Sequence, residues 1–219
     1  MRVVDNLFFD LDGTLTDPFQ GITNCIQFAL EAMGHVVPEK EALRWCIGPP
    51  LTQCFTQLLP EGDEENTRVA VTKYRERYRT MGLFENEVIP GIEPLLIELH
   101  RQGRRLFVAT SKPHVYATQI IEYFGYTPYF EAVHGSELDG LRTNKSDLLA
   151  HILFQHDLDP KCTVMIGDRE YDVYGAKAHN IQTVGVLWGF GSRKELIHAG
   201  ADRIAEKPEV LSTILNAEK

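Results

Sequence analysis

The sequence predicts an α/β protein in which a doubly wound parallel sheet forms the core and an all-helical domain is inserted after the first strand. Two observations lead to this prediction. From about residue 90, short apolar segments alternate with amphipathic segments of helix length, an order typical of right-handed βαβ units. Residues 17–84 instead show helical periodicity with no convincing strand. We therefore expect a Rossmann-like core from residues 1–16 and 85–219, and a helical cap from residues 17–84.

Composition and charge limit the classes of partner. The chain has 219 residues, of which 43% are hydrophobic, and its 22 basic and 31 acidic side chains give a net charge of −9. This negative charge is spread along the chain, which argues against a nucleic acid polymer or an anionic membrane as the main partner. No apolar run has membrane-spanning length and the chain begins directly with a strand, so we expect a cytoplasmic protein. The oligomeric state does not follow from the sequence.

The first strand ends in a pair of carboxylates. An apolar run from Val3 to Phe9 is followed by Asp10, Leu11, Asp12 and Gly13. Side chains two residues apart share one face of a strand, so Asp10 and Asp12 converge while Leu11 turns into the core. Two close carboxylates repel each other, and at least one pKa rises unless a cation or a shared proton lies between them. An exposed turn and the Asp-x-Asp metal site of a sugar-nucleotide transferase are the alternatives.

The inserted segment reads as consecutive helices. Apolar residues recur at helical spacing over residues 22–33. Residues 39–46, an apolar stretch over residues 51–59 and a highly charged helix over about residues 63–81 follow. Gly48, Pro49 and Pro50 interrupt this module. A turn of restricted backbone within a helical module is a candidate substrate-specificity loop, and a simple helix break is the alternative.

Strands and helices alternate in the remainder of the chain. Strands are predicted at residues 106–109, 130–134, 163–166, 183–187 and 203–205. Helices are predicted at residues 92–99 and 145–156 and from about residue 209, and two more end at Gly125 and Asn180. This order places the carboxyl ends of the strands at one edge of the sheet, where open α/β sheets bind their ligands.

Polar groups at three predicted strand ends should meet at that edge. These groups are Asp10 with Asp12, Thr110 with Ser111, and Asp168 with Asp172. Several carboxylates without histidine or cysteine favour an oxygen-ligated metal, hence Mg²⁺ over zinc. Such a cluster needs a counter-charge or an anionic substrate. Lys145, at the start of its predicted helix, is the best candidate for contacting a phosphate, and Lys112 is the alternative.

These residues resemble the four ordered motifs of the haloacid dehalogenase superfamily. The matching segments are Asp10-Leu11-Asp12-Gly13-Thr14-Leu15, Thr110-Ser111-Lys112, Lys145 and Gly167-Asp168-Arg169-Glu170-Tyr171-Asp172. The insert after the first motif is similar to the helical cap of that superfamily. Residues 47–51 and 186–192 resemble its phosphoglycolate phosphatase branch, which also contains nucleoside 5′-monophosphatases.

The resemblance implies how the acidic residues act. Asp10 is the implied nucleophile, which attacks phosphorus to form an aspartyl phosphate. Asp12 is the implied acid and base, which protonates the leaving group and then deprotonates the hydrolytic water. Mg²⁺ is the implied cofactor, bound by the Asp10 carboxylate, the Asp12 backbone carbonyl and Asp168. Asp172 is expected to order the water around the metal.

The resemblance also implies a phosphate-binding set. Thr110 and Lys145 are expected to bind phosphate oxygens, and backbone amides near Gly13 add further donors. Thr110 is preferred because the family's motif places its hydroxyl directly after the apolar strand. Ser111 is the alternative, because it stands where relatives often have Asn. Lys112 is the alternative to Lys145.

The predicted activity is hydrolysis of small phosphate monoesters by a magnesium-dependent phosphatase. The expected partner is a small phosphorylated metabolite, either 2-phosphoglycolate or a nucleoside 5′-monophosphate. A sugar phosphomutase with the same motifs is the first alternative. A haloacid dehalogenase does not need an acid at position 12, and a non-catalytic binding module is expected to lack Asp10 or Asp12, so both are weaker alternatives.

Overall fold

A computed structural model describes residues 5–60 and 63–217. The predicted start of the first strand at Val3 lies outside these residues. The strands are β1 (Asn6–Phe9), β2 (Thr16–Asp17), β3 (Glu87–Val88), β4 (Arg105–Pro113), β5 (Ala132–Ser136), β6 (Thr163–Gly167), β7 (Gln182–Val186) and β8 (Arg203–Ala205).

The α-helices follow the predicted order along the chain, with α8 added where no helix was predicted. They are α1 (Phe19–Ala32), α2 (Leu51–Leu58), α3 (Glu64–Arg77), α4 (Ile92–Arg101), α5 (His114–Tyr123), α6 (Lys145–Gln155), α7 (Glu170–Lys177), α8 (Arg193–Ala199) and α9 (Leu211–Asn216). Short 3-10 helices span Lys40–Cys46, Thr127–Tyr129, Pro160–Cys162 and Pro208–Val210, and a π-helix spans Tyr78–Gly82.

Six of the strands form one sheet in the order β5-β4-β1-β6-β7-β8, and every pair in it is parallel. The chain builds outward from β1 in both directions, so the strand order reverses there. Crevices that bind ligands form beyond the carboxyl ends of strands at such a reversal. The predicted doubly wound parallel sheet is confirmed, and the residue after β1 lies at its most favourable position for chemistry.

The centre of the sheet is fully buried on both faces. Leu7, Phe8 and Phe9 of β1 are all 0% exposed, and Phe8 packs edge-on against Phe107 of β4 with ring centroids 5.5 Å apart. Continuous apolar strands of this kind are expected where helices cover both faces of a parallel sheet. Asp10 therefore directly follows a fully buried strand at the centre of the sheet.

Strand β4 is longer than predicted, and this corrects the placement of three site candidates. Thr110, Ser111 and Lys112 lie within β4, not after it. The strand continues because its pairing with β5 resumes at Pro113 after a shift in register that begins at Ala109. A bulge of this kind re-aims the side chains it carries. Strand β5 in turn begins at residue 132, two residues after its predicted start.

Contacts divide the chain into two compact units, residues 1–16 with 88–219 and residues 17–87. The second unit extends three residues past the predicted boundary at 84, and its assignment as a substrate-specificity cap stays a prediction. The helix predicted over residues 63–81 ends as an α-helix at Arg77 and continues as the π-helix. Within the described residues, no helix combines the length and the apolar character needed to cross a membrane.

Candidate active site

Asp10 directly follows β1 and is held from two sides. Its backbone N–H donates to the carbonyl of Ile166, 2.9 Å away, which continues the parallel ladder between β1 and β6. Its side chain accepts a hydrogen bond from Lys145 Nζ at 2.9 Å and is largely buried. The carboxylate of Asp10 is thus fixed at the sheet edge, and burial excludes the exposed-turn alternative for this residue.

Asp12 forms a second buried ion pair beside the first. Lys112 Nζ lies 2.5 Å from Asp12 Oδ1, and the two side chains are only 6% and 14% exposed. The pKa of Asp12 is raised, mainly because the side chain is buried. Repulsion from Asp10 adds to the rise, and attraction to Lys112 opposes it. Gly13 follows with a φ of 82°, and a Cβ there would come 2.4 Å from Asp168 Oδ2. The turn after Asp12 therefore requires glycine.

Lys145 is the first residue of α6 and lies between two carboxylates. Its Nζ donates to Asp10 Oδ1 at 2.9 Å and to the Ala109 carbonyl at 2.8 Å, and it pairs with Asp172 Oδ1 at 2.7 Å. Burial on its own would lower the pKa of Lys145, but the attraction of Asp10 and Asp172 outweighs it and leaves the pKa raised. The two carboxylates therefore favour the charged form of Lys145 at this edge.

Asp168 and Asp172 follow β6 on the next strand end. A backbone N–H of Arg169 donates to Asp172 Oδ2 at 3.2 Å, so Asp172 caps the start of α7 from within its first turn. Gly167 makes room for this carboxylate, because a Cβ there would come 2.2 Å from Asp172 Oδ2. Burial raises the pKa of Asp172, and repulsion from Asp10 adds to the rise while Lys145 opposes it.

Asp168 carries the least compensated charge of the described acidic residues at this edge. Its Oδ2 accepts the backbone N–H of Phe190 at 2.7 Å, but its Oδ1 is buried without a hydrogen-bond partner. Burial is the main cause of a pKa well above the usual range, and repulsion from Asp10 and Asp172 adds to it. A buried ionised oxygen without a partner is costly, so Asp168 needs either a proton or a cation.

Three carboxylates are arranged so that one cation can contact all of them. Asp10, Asp168 and Asp172 each offer an oxygen atom within 4.8 Å of the others, and all three residues are buried. The unpartnered Asp168 oxygen and the purely carboxylate donor set fit a hard divalent cation. The expected role of Asp172 in ordering the water around a metal stays a prediction. Asp10 is distant from Asp168 and Asp172 in the sequence, and the three lie together at one edge of the sheet as the sequence predicts.

The two hydroxyl candidates differ in their surroundings. Thr110 is 2% exposed, and its Oγ1 accepts the backbone N–H of Lys112 at 3.2 Å. Ser111 is half-buried, and its carbonyl accepts a hydrogen bond from Ser136 Oγ at 2.8 Å. Both contacts shape the bulge in β4. Which of the two hydroxyls binds phosphate stays a prediction in favour of Thr110.

Sequence reasoning connected residues 186–192 only with a branch of the family, and the structure adds the loop after β7 to this site. Trp188 Nε1 donates to the Thr14 carbonyl at 3.0 Å, and the Phe190 amide holds Asp168. A Cβ at Gly189 would come 2.4 Å from both Asp168 Oδ2 and the Gly13 carbonyl. The alternation of glycine with aromatic residues was the available signal, because glycine marks close approach of backbone.

The remaining predicted residues lie in the other unit. Gly48, Pro49 and Pro50 connect the 3-10 helix Lys40–Cys46 to α2, with Gly48 at a φ of 109° and Pro50 immediately before the helix. The prediction of a restricted turn between two helical segments agrees with this local structure. Its role in substrate specificity stays a prediction.

Residues 7–186 match the family model described as haloacid dehalogenase-like hydrolase. The chain belongs to the haloacid dehalogenase-like hydrolases. This confirms the resemblance drawn from the four motifs. The solved structure of a predicted phosphatase from Clostridium acetobutylicum superposes on this hydrolase with a TM-score of 0.93 and 41% identity, over 98% of this chain and 100% of that one.

Relatives of this hydrolase carry different names. A 5′-nucleotidase of Pseudomonas aeruginosa is 48% identical over 191 residues, which are 87% of this chain and 86% of the relative. Tyrosine-protein kinase PtkA of Mycobacterium tuberculosis is 42% identical over 185 residues, which are 84% of this chain and 62% of the relative. A phosphoglycolate phosphatase of Vibrio cholerae is 26% identical, over 94% of each chain.

Proposed function

We propose that this hydrolase removes phosphate from nucleoside 5′-monophosphates through an aspartyl-phosphate intermediate. The observation that carries the proposal is the buried group of Asp10, Asp168 and Asp172 around Lys145, with Asp12 paired beside it. This arrangement offers a carboxylate nucleophile, a cation for the phosphate and a second carboxyl group for proton transfer. Phosphoryl transfer depends mainly on such positioning and neutralisation of charge.

The reaction proceeds in two displacements at phosphorus. The Asp10 carboxylate attacks, a bond forms between its oxygen and phosphorus, and the bond to the leaving oxygen breaks. Asp12 donates a proton to that leaving oxygen, so the nucleoside departs as an alcohol. Asp12 then accepts a proton from the water that attacks the aspartyl phosphate. A bond forms between the water oxygen and phosphorus, and the bond between the Asp10 oxygen and phosphorus breaks. Inorganic phosphate then leaves, and after Asp12 has accepted the proton from water, both residues are in their starting states.

Three features of the chain support these steps. Asp10 is immobilised by the ladder to β6 and by Lys145, which reduces the cost of reaching an attacking orientation. The raised pKa of Asp12, caused first by burial, favours the protonated form that an acid needs. Lys145 places a charged ammonium next to the nucleophile, where the negative charge of a phosphate must be balanced.

Mg²⁺ is the proposed cofactor, held by Asp10, Asp168 and Asp172 with the Asp12 backbone carbonyl as a further donor. The unpartnered Asp168 oxygen supports this choice, because a proton or a cation is required there. When bound, the ion would neutralise phosphate charge and orient its oxygens. Oxygen ligands favour Mg²⁺ over zinc.

The nucleotide assignment follows the more similar of the two phosphatase relatives. The relative named 5′-nucleotidase shares 48% identity with this chain, whereas the relative named phosphoglycolate phosphatase shares 26%. We expect a small phosphorylated metabolite as the partner in either case. A sugar phosphomutase is the alternative within the same fold, and it would return an isomer of a hexose 1-phosphate with little free phosphate.

Phosphate release from a substrate panel tests the proposal. The full chain is incubated with nucleoside 5′-monophosphates, 2-phosphoglycolate and hexose 1-phosphates, each with Mg²⁺ and with a chelator. We expect release from the nucleotides that requires the cation and disappears in Asp10→Asn. Asp5→Asn is the matched control, because Asp5 is exposed and precedes β1 while Asp10 follows it. Release from 2-phosphoglycolate alone would contradict the nucleotide assignment, and activity retained by Asp10→Asn would contradict the mechanism.

Transfer of phosphate to tyrosine is the second candidate, favoured by the 42% identity to the relative named a tyrosine-protein kinase. The two candidates differ in the acceptor of the phosphoryl group. Incubation with ATP labelled on its terminal phosphate, followed by separate assay of phosphotyrosine and free phosphate, distinguishes them. Labelled phosphotyrosine that depends on Asp10 would support the kinase, and phosphate released only from monoesters would support the phosphatase.

A further inference from the structure

The ion pair between Lys112 and Asp12 is separate from the one that Lys145 makes. Lys112 Nζ is 2.5 Å from Asp12 Oδ1, while Lys145 Nζ contacts Asp10 and Asp172. We propose that Lys112 is a positioning residue, which holds the Asp12 carboxyl group in the orientation that proton transfer to the leaving oxygen requires. This inference rests on the proposed function and deepens it. The two lysines then have different roles. Lys145 contacts the nucleophile Asp10 and the phosphate, and Lys112 orients the acid Asp12.

The backbone around Lys112 is shaped to deliver its side chain. Lys112 lies inside the stretch of β4 where the register with β5 shifts between Ala109 and Pro113. Its own N–H donates to Thr110 Oγ1 at 3.2 Å, which tightens the bulge from within. Bulges next to active sites commonly serve to re-aim a side chain. Here the side chain that emerges from the bulge ends on Asp12.

The neighbouring strand fixes this bulge from outside. Ser136 Oγ of β5 donates to the Ser111 carbonyl at 2.8 Å. Gly135, also in β5, has no side chain to block the approach of β4, and a Cβ there would come 2.4 Å from the Lys112 carbonyl oxygen. Ser136 thus holds one peptide group of β4, and Gly135 leaves room for the next. Such support from a rigid element is what a precisely oriented functional side chain needs.

Burial makes the contact between Lys112 and Asp12 a strong orienting force. The two side chains are 6% and 14% exposed, so water competes little for either charge. With Oδ1 held by the ammonium, the carboxyl group of Asp12 cannot rotate freely, and Oδ2 is the oxygen assigned to proton exchange. A simple role for Lys112 in phosphate binding predicts different kinetics, and the two roles can be separated.

The test uses Lys112→Met and two substrates with different leaving groups. A nucleoside 5′-monophosphate releases an alcohol that must be protonated, whereas p-nitrophenyl phosphate releases a stable phenolate that needs no acid. We expect Lys112→Met to lower kcat/KM for the nucleotide by at least about tenfold more than for the aryl ester, since general acid catalysis contributes roughly 10²- to 10⁴-fold. Lys161→Met, at an exposed lysine, is the matched control and should leave both values unchanged.

A double variant shows whether Lys112 acts through Asp12. If it does, adding Lys112→Met to Asp12→Asn should change the remaining activity by less than about twofold, because the two substitutions remove one shared function. The double variant also removes both charges of the buried pair. It can therefore be assayed even where Lys112→Met alone folds poorly because it leaves Asp12 buried and unpaired. Circular dichroism of each variant establishes that it is folded. Lys112→Arg should restore part of the nucleotide activity by keeping the charge.

The outcomes separate this inference from the proposed function. Equal losses for both substrates in Lys112→Met, with weaker inhibition by inorganic phosphate, would show a phosphate-binding lysine and overturn the positioning role. Additive losses in the double variant would overturn it as well. A wild-type chain that releases no phosphate from any ester would overturn the proposed function itself, and the assignment of Lys112 with it.

Discussion

Gly175 lies directly against the side chain of Lys145. A Cβ at Gly175 would come 2.7 Å from Lys145 Cγ and 2.9 Å from Lys145 Cβ. Gly175 lies inside α7, where glycine is unfavourable by about 1 kcal/mol relative to alanine. Gly175 is a poor helix former, but its lack of a side chain leaves room for Lys145. The Lys145 ammonium group can therefore reach the sheet edge.

Gly175→Ala should lower both stability and activity. Helix propensity alone predicts a gain of about 1 kcal/mol, but overpacking against Lys145 should cost about 1–3 kcal/mol and displace its side chain. We expect a net decrease in the free energy of unfolding in urea, together with at least tenfold slower phosphate release. A variant that is more stable than the wild type and fully active would contradict the contact.

Asp168→Asn should change how the protein responds to a divalent cation. Without one, the substitution removes a buried charge whose pKa is raised, so we expect unchanged or higher thermal stability. With Mg²⁺ at a hundred times its dissociation constant, the wild type should gain about 2.7 kcal/mol and the variant much less. Thermal unfolding with and without Mg²⁺ measures both effects. Asp5→Asn should behave as the wild type, and an equal Mg²⁺ response in Asp168→Asn would remove Asp168 from the metal site.

His134 should make the protein less stable in mild acid. It is 8% exposed, its Nε2 is 2.9 Å from His156 Nε2, and burial together with repulsion from His156, His151, His114 and Arg142 lowers its pKa to about 4. In the unfolded chain the His134 side chain binds a proton near pH 6.5, whereas in the folded chain it binds one only near pH 4. The free energy of unfolding should therefore decrease by about 1–3 kcal/mol as the pH falls from about 6.5 to about 4.

Denaturant unfolding at several pH values checks this expectation. His134→Gln should flatten the dependence of the unfolding free energy on pH between about 6.5 and 4, whatever its effect at pH 7. His198→Gln, at an exposed position on α8, is the matched control and should keep the slope of the wild type. An unchanged slope in His134→Gln would assign the acid sensitivity to other groups.

Thr110 and Ser111 can be distinguished by removing one hydroxyl at a time. Thr110→Val keeps the shape of the side chain, and we expect it to lower kcat/KM for the substrate at least tenfold and to weaken inhibition by inorganic phosphate, since a buried donor to phosphate is lost. Ser111→Ala should change kcat/KM by less than threefold. The reverse order of effects would make Ser111 the phosphate ligand.

The sequence was sufficient to predict the sheet and the meeting of its acidic residues. Strand and helix periodicity placed Asp10 after β1 and Asp168 after β6, and parallel pairing then requires that their ends share one edge. The position of Lys145 at the start of α6 was predicted for the same reason. These features depend on local pattern and on general topology, which a single sequence contains.

Other features depend on contacts between distant segments and could not be read in advance. The continuation of β4 past Ala109 depends on where β5 pairs with it, which no local pattern in β4 records. The meeting of His134 with His156 likewise joins a strand to the end of a helix. The role of Phe190 comes from a backbone N–H, and its identity as a residue gives no sign of that bond.

The central position of β1 has a consequence for how the enzyme is made. Residues 6–9 are synthesised well before their neighbours in the sheet, which are β4 and β6. These partners are synthesised roughly 100 and 160 residues later. The apolar strand β1 therefore has no partner strand in the sheet during much of translation. Exposed strands are prone to aggregation in that period. Asp10, which directly follows β1, is thus made long before the residues of β4 and β6 that complete its surroundings.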